Sequence, residues 1–309
     1  MQSMIRPSLD LFTTRTILAY ESLSNPMAYK SEHPQLLRIC TSPFADASQY
    51  GESSCLRFLL DKRDACLGPW IPGRDWFEDE LRAFDGCKDG IVPCVWDYQL
   101  SSFPQLESVS KMLVNQILLF FGTIFASQDS GGKLVLLNMI DQCLKTGKKQ
   151  PWRRASITNA CVGLLSGLKA ALALRSQGWE IEILTSIQSI FQGILLEGEI
   201  SSEQRRASAE GLGLLTRLGN DVFTAKMARS LLGELIVATD PNFIGSIALS
   251  LGCIHRSAGG MALSTLVPTT VTSISNLAKS SNPGLQLWPL HALLLTIEAA
   301  GLSYVPQVQ

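Results

Sequence analysis

The chain has few residues that could carry out acid–base or nucleophilic chemistry. It contains three histidines, His33, His255 and His291, and nucleophilic catalysis needs a serine or cysteine with such a base within reach. His33 lies in a proline-rich stretch, whereas His255 and His291 lie in helix-like segments, where a packed or surface histidine is the expected role. No Gly-x-Ser-x-Gly elbow surrounds a serine. We therefore expect no catalytic residues and a protein that is not an enzyme.

Metal and nucleotide sites are not predicted either. The eight cysteines form no Cys-x-x-Cys pair and have no cysteine–histidine ligand spacing. Glu78, Asp79 and Glu80 are consecutive, so on a helix they point in different directions and form a solvated first turn. Gly211 and Gly213 lie in the middle of an expected helix, which favours close helix–helix approach over a dinucleotide fingerprint. We expect no metal and no cofactor.

A basic turn is the strongest candidate for a binding site. It combines four cations with one tryptophan: Lys148, Lys149, Trp152, Arg153 and Arg154. The two arginines would fall in the first turn of a helix, where the helix dipole disfavours positive charge. A local rule that is broken can mark a binding surface, and an acidic peptide or anionic membrane headgroups would fit it. A plain solvated loop is the alternative interpretation.

The elements that must position these residues are helices. One helical unit recurs three times, at residues 202–219, 241–258 and 283–300, with starts 39 and then 42 residues apart. Without gaps, this alignment places Ala209, Ala248 and Leu290 in one column. A period near 40 with two helices per unit is typical of HEAT or armadillo arrays, whose helix pairs bury their apolar faces by stacking. The predicted fold is all-α, an α-solenoid of HEAT/armadillo-type helix pairs.

The first hundred residues differ from the rest. Residues 1–103 are expected to be a loop-rich segment with isolated helices at about 9–24 and 75–84, because prolines, glycines and serines interrupt the chain between these helices. Residues 104–309 are expected to form the solenoid. Asp221 is predicted to cap one of its helices, and Pro268 is predicted to kink the helix around 263–277. The last unit has no polar capping helix, so we expect an open C-terminal end and a fragment of a longer protein.

Composition limits the function classes further. A net charge of −1 gives no electrostatic support for binding nucleic acid. Charged residues make up only 17%, which suggests either a surface largely covered by a partner or a piece of something larger. Residues 112–126 are the most membrane-like stretch, but 15 residues including Asn115 and Gln116 favour a buried helix. We expect a cytoplasmic protein with at most peripheral membrane contact.

Several segments resemble a known family. They are residues 219–225 (GNDVFTA), 252–260 (GCIHRSAGG), 67–70 (LGPW), 73–75 (GRD) and 77–81 (FEDEL). Together they resemble the large HEAT-repeat-containing protein five family. The resemblance implies a very long α-solenoid that assists clathrin-adaptor-dependent vesicle traffic between endosomes and the trans-Golgi network. It implies clathrin adaptor subunits or their accessory proteins as partners, and a plant member linked to carbohydrate status.

Two other functions remain open at this point. A HEAT scaffold could serve as the regulatory subunit of another assembly, such as a phosphatase or kinase complex, and would then have a stoichiometric enzyme partner. An enzyme with an unrecognised site in residues 25–103 is the third alternative, although no polar constellation with catalytic spacing occurs there.

Overall fold

A computed structural model describes most of the chain from residue 118 onward. The described residues are 118, 121–149, 153–173, 178–198, 200–259 and 262–301. The predicted loop-rich segment 1–103, with its helices at about 9–24 and 75–84, lies outside them. The chain divides into two compact units, Met1–Arg175 and Ser176–Gln309, and each is described by itself below.

The described part of the first unit consists of helices. Residues 121–127 are helical, and two longer helices follow: α1 (Ser130–Thr146) and α2 (Arg153–Ala173). Asp129 caps α1 by accepting a hydrogen bond from the Gly132 amide at 2.7 Å. Phe121 and Phe125 are fully buried and stack with ring centroids 5.9 Å apart. The expectation of a buried helix within residues 112–126 is thus confirmed for the described residues of that stretch.

The second unit contains six helices in its described residues. They are α3 (Ile181–Leu195), α4 (Ser202–Leu218), α5 (Asp221–Val237), α6 (Pro241–Ala258), α7 (Val267–Ala278) and α8 (Pro283–Ala300). The three predicted repeat segments coincide with α4, α6 and α8, apart from the terminal Gly219, which ends α4. Local capping explains their starts, because Ser201 and Gln204 form a capping box before α4 and Asp240 caps α6 ahead of Pro241.

Helices α4 and α6 pack side by side and run in the same direction. Near both N-termini, Nε of Arg205 donates to the Ser246 hydroxyl at 3.0 Å. About two turns further along both helices, a Cβ on Gly213 would lie 2.7 Å from the Cys253 carbonyl oxygen. Two contacts that advance together along both chains define a parallel pair. The close approach predicted for the mid-helix glycines is confirmed.

Helices α6 and α8 form a second parallel pair. A Cβ on Gly245 would lie 2.9 Å from the Trp288 ring, and one on Gly252 would lie 2.7 Å from Cα of Ala292. α6 is therefore held between α4 and α8, and Ile244 through His255 are all buried. The intervening helices α5 and α7 return the chain, so every second helix joins one parallel layer. This arrangement is consistent with an α-solenoid.

Three details of the helices differ from the sequence-based predictions. Pro268 does not kink a helix, because α7 begins at Val267 and places this proline in its first turn, where no backbone N–H is needed. The interior proline is Pro289 of α8. The cap of α5 is Asn220, whose side chain accepts from the Phe223 amide at 2.8 Å, and Asp221 is already helical.

The sequence alignment of the repeats holds for α4 and α6 but not for α8. Ala209 and Ala248 are fully buried, whereas Leu290 of the same column is 51% exposed. His291 beside it is buried instead. None of the helices within the described ranges is long and apolar enough to cross a bilayer.

Candidate functional site

The basic turn between α1 and α2 is partly exposed. Lys148 and Lys149 follow the end of α1 and are exposed, and neither makes a hydrogen bond or ion pair with another residue in the described ranges. Trp152 lies outside the described residues. Arg153 and Arg154 are half-buried in the first turn of α2. The two lysines are therefore the members of the predicted site that present free charge to solvent.

Arg153 has a structural role that the sequence did not reveal. Its Nη1 atom donates a hydrogen bond to the Leu144 carbonyl in the last turn of α1. The last carbonyls of a helix lack intrahelical partners and carry partial negative charge, so a cation is favoured there. The dipole of α2 disfavours a positive charge at its start, whereas the dipole of α1 favours the Arg153 guanidinium at its C-terminal end. The interaction with α1 therefore explains why an arginine occurs here, and no bound ligand is needed.

A polar seam, defined by the buried residues Arg205 of α4, Cys253 of α6 and His291 of α8, crosses the parallel layer of the second unit. It was not predicted from the sequence. Its first part is Arg205 of α4, which is nearly fully buried. Besides the Ser246 hydroxyl, its guanidinium reaches the Asn242 side-chain oxygen at 3.4 Å, and it lies 5.0 Å from the centroid of the Trp288 ring. One side chain thus connects all three helices of the layer through hydrogen bonds and a cation–π contact.

The second part of the seam contains His291 of α8, buried to 1% exposure. Burial, together with the smaller effect of the nearby positive charges of Arg206 and Arg256, lowers the pKa of His291 to about 4. Cys253 of α6 behaves in the opposite sense. Burial raises its pKa well above the usual value, Glu210 adds to this effect, and Arg256 opposes it. At neutral pH the seam therefore holds a neutral imidazole and a protonated thiol, which is a poor nucleophile.

His255 connects α6 with α7. Its Nε2 atom lies 3.0 Å from the Thr270 hydroxyl, and both residues are buried. Burial lowers the pKa of His255 to about 4. A packed or a surface position was predicted for His255 and His291, and the structure shows that both are packed in the interior. His33 lies outside the described residues.

A signal for the seam was present in the repeat alignment. The gapless alignment places Arg205 opposite Ile244 and Gln286, and Glu210 opposite Leu249 and His291. Each column therefore combines a charged residue with an apolar and a polar one. A charge at a position that is apolar in another repeat is expensive to bury unless it is paired, so such a position predicts a buried polar contact. The partner residues themselves could not be predicted, because Arg205 and Ser246 are 41 residues apart.

These features place the described residues in the class of all-helical proteins. In its described residues the chain has helices and no strands, its packing is consistent with an α-solenoid, and its buried polar groups join helices to one another. No protein-family model matches the chain. No solved structure matches it either.

Comparison with curated proteins identifies the chain more closely. It is 62% identical over 307 residues to Protein SWEETIE of Arabidopsis thaliana. The match covers 99% of this chain and 14% of that relative. The chain belongs with the SWEETIE-like proteins, and it spans about a seventh of the length of the relative that it matches.

Proposed function

We propose that this protein is a non-enzymatic, HEAT-type helical scaffold that assists clathrin-adaptor-dependent vesicle traffic between endosomes and the trans-Golgi network. The observation that carries the scaffold role is the parallel layer α4–α6–α8, in which every second helix stacks on the previous one. Such layers provide extended surfaces for partners. The trafficking role rests on the resemblance of several sequence segments to the HEAT-repeat-containing protein five family.

The basic turn supports peripheral contact with anionic membrane headgroups. Lys148 and Lys149 are adjacent and exposed, and a lysine presents a mobile point charge that suits a phosphate-bearing surface. The nearby Lys145 lies 2.6 Å from Asp141, so its charge is partly compensated. Headgroup binding would keep the scaffold near the trans-Golgi network, endosomes or vesicles while its helices contact protein partners.

The membrane contact is tested by sedimentation of the chain with vesicles containing phosphatidylserine. The Lys148→Glu/Lys149→Glu variant should lose most binding, because each lysine near an anionic surface contributes about 1 kcal/mol. Arg153 is left unchanged because it holds α1 and α2 together. Lys279→Glu, a single charge reversal at an exposed lysine of the second unit, serves as the control for charge reversal away from the basic turn. Equal sedimentation of both variants, or binding of an acidic peptide in place of vesicles, would refute the headgroup role.

The trafficking role is tested by affinity purification of a tagged full-length protein. Clathrin adaptor subunits or their accessory proteins should be recovered at a constant ratio to it. A stoichiometric phosphatase or kinase in place of adaptor subunits would assign the scaffold to the alternative class of assembly. Absence of adaptor subunits from several tissues would refute the role.

A further inference from the structure

The outer face of α5 differs from every other described helix surface. The three most exposed large apolar side chains of the described residues all belong to it: Val222 at 77%, Ile236 at 75% and Val237 at 76%. Isolated exposed apolar residues are normal on proteins, but a group on one face marks an interaction surface. The opposite face of α5 packs into the unit through Phe223, Thr224, Met227, Ala228, Leu231, Leu232 and Leu235.

The exposed residues of α5 form one continuous stripe. Val222, Lys226, Arg229, Gly233 and Ile236 follow one another at spacings of four, three, four and three, which places them on a single helix face. The stripe is about 21 Å long at the rise of an α-helix. It has an apolar residue at each end and two cations between them.

The two cations and the glycine give this stripe a specific chemistry. Lys226 and Arg229 are exposed, and neither forms a hydrogen bond or ion pair with a residue in the described part of the chain. A Cβ at Gly233 would meet nothing within 4 Å. The missing side chain therefore leaves a low point on the surface, where the backbone of a second helix can approach.

We infer that the α5 stripe, defined as Val222, Lys226, Arg229, Gly233, Ile236 and Val237, docks an acidic amphipathic helix of a protein partner. Glutamate or aspartate side chains of that helix pair with Lys226 and Arg229. Its apolar residues contact Val222 at one end and Ile236 and Val237 at the other. The length of the stripe corresponds to about four turns of the bound helix, which lies along α5 in the manner of helix-in-groove recognition.

A protein partner fits this stripe better than a membrane does. Lipid surfaces are recognised by clusters of about four to eight basic residues. The basic turn has four such residues, whereas α5 has two. Asp221 and Glu234 also lie on α5 and balance the two cations. The helix has no net charge to attract an anionic bilayer, but it has two fixed cations that can pair with matching carboxylates.

The inference is tested with a fluorescent helical peptide and the whole 309-residue chain. The peptide carries leucines at its ends, spaced to reach Val222 and Ile236, and a pair of glutamates between them. Fluorescence anisotropy should show saturable binding that weakens with added salt. Lys226→Glu/Arg229→Glu should weaken binding by about tenfold or more, and the same peptide with lysines for glutamates should bind this variant better than the wild type.

Three comparisons make the test specific to the stripe. Ile236→Ser should weaken binding, whereas Ile181→Ser, at a 58%-exposed residue of α3, should not. Lys279→Glu, a charge reversal outside α5, should also leave binding unchanged. Circular dichroism must show equal helix content for all variants.

Several outcomes would overturn the inference. They are absence of peptide binding to the wild-type chain, equal affinity for wild type and the double charge reversal, or equal loss in the two control variants. Binding of phosphatidylserine vesicles that is lost with the double reversal would assign the stripe to membranes and so refute the protein partner. The test does not involve adaptor recovery or Lys148 and Lys149, so its outcome is independent of the proposed trafficking role.

Discussion

Substituting Gly252 by alanine tests the close packing at the centre of the second unit. Gly252 lies on α6 where this helix meets α8. A Cβ at this position would lie 2.7 Å from Cα, 2.9 Å from the carbonyl oxygen and 3.1 Å from Cβ of Ala292. The two nearest atoms belong to the backbone, so they cannot move aside without shifting α8 itself.

The expected magnitude follows from two opposing effects. Carbon atoms in contact normally lie about 3.5–4.0 Å apart, so the two helices would have to separate by roughly 1 Å. Overpacking of this kind costs about 1–3 kcal/mol, while replacing a helical glycine by alanine contributes about 1 kcal/mol in the favourable direction. Gly252→Ala should therefore lower the free energy of unfolding by up to about 2 kcal/mol.

Gly193→Ala is the matched control. Gly193 lies in α3, and a Cβ there would meet nothing within 4 Å. This variant should be more stable than the wild type by about 0.5–1 kcal/mol, because only the helix propensity changes. Urea unfolding followed by circular dichroism measures both, and a difference of about 2 kcal/mol between the variants separates their midpoints by about 1 M.

The reasoning is refuted if Gly252→Ala is as stable as Gly193→Ala. A second variant tests the geometry more closely. Ala292→Gly removes only the methyl group at 3.1 Å and leaves the nearer backbone atoms in place. The double variant Gly252→Ala/Ala292→Gly should therefore recover little of the lost stability. Full recovery would show that the two backbones lie further apart than the structure has them.

Two further predictions concern the buried polar groups. His255 and His291 have folded-state pKa values of about 4, below the ordinary value of 6.5, so the unfolded chain binds more protons between these values. The free energy of unfolding should fall as pH decreases from 6.5 to 4, by about 3 kcal/mol per histidine. His291→Leu should reduce the dependence of this free energy on pH, measured by urea unfolding at several pH values. An unchanged pH dependence would contradict the burial of His291 as a neutral group. Arg205→Ala should lower the melting temperature, because it removes the side-chain hydrogen bonds to α6 and the cation over Trp288, together worth about 2–3 kcal/mol. Arg217→Ala, at an exposed arginine of the same helix, is the control, and equal melting temperatures would contradict the role of Arg205.

Much of the helix layout was predictable because the signals are local. Asp240 and Pro241 mark the start of α6 through a side-chain cap and a first-turn proline, and both act within one turn. The same kind of signal failed at Pro268. Whether a proline lies inside a helix or in its first turn depends on where the helix begins, and residues 262–266 form turns that the apolar spacing did not indicate.

The candidate sites were predictable only in part. Lys148 and Lys149 are exposed next to a helix end, and their exposure could be expected from their place in a polar stretch of the sequence. The Arg153 contact with Leu144 could not be inferred, because it depends on how α1 and α2 are placed. The α5 stripe was also missed, since the spacing of Val222 and Ile236 is compatible with either a buried or an exposed face until the packing of α5 is known.

The sequence by itself determined the helical class, the positions of α4, α6 and α8, and the SWEETIE-like family, because caps, apolar spacing and residue identity are properties of short segments. Only the tertiary structure decided which polar residues are buried and which apolar residues are exposed. Arg205 is buried because helices far along the chain bring Ser246 and Trp288 to it. Val222 and Ile236 are exposed because the opposite face of α5 already fills the core. Burial is a property of the neighbours of a side chain, and in a stacked helical layer those neighbours lie on helices that are distant along the chain.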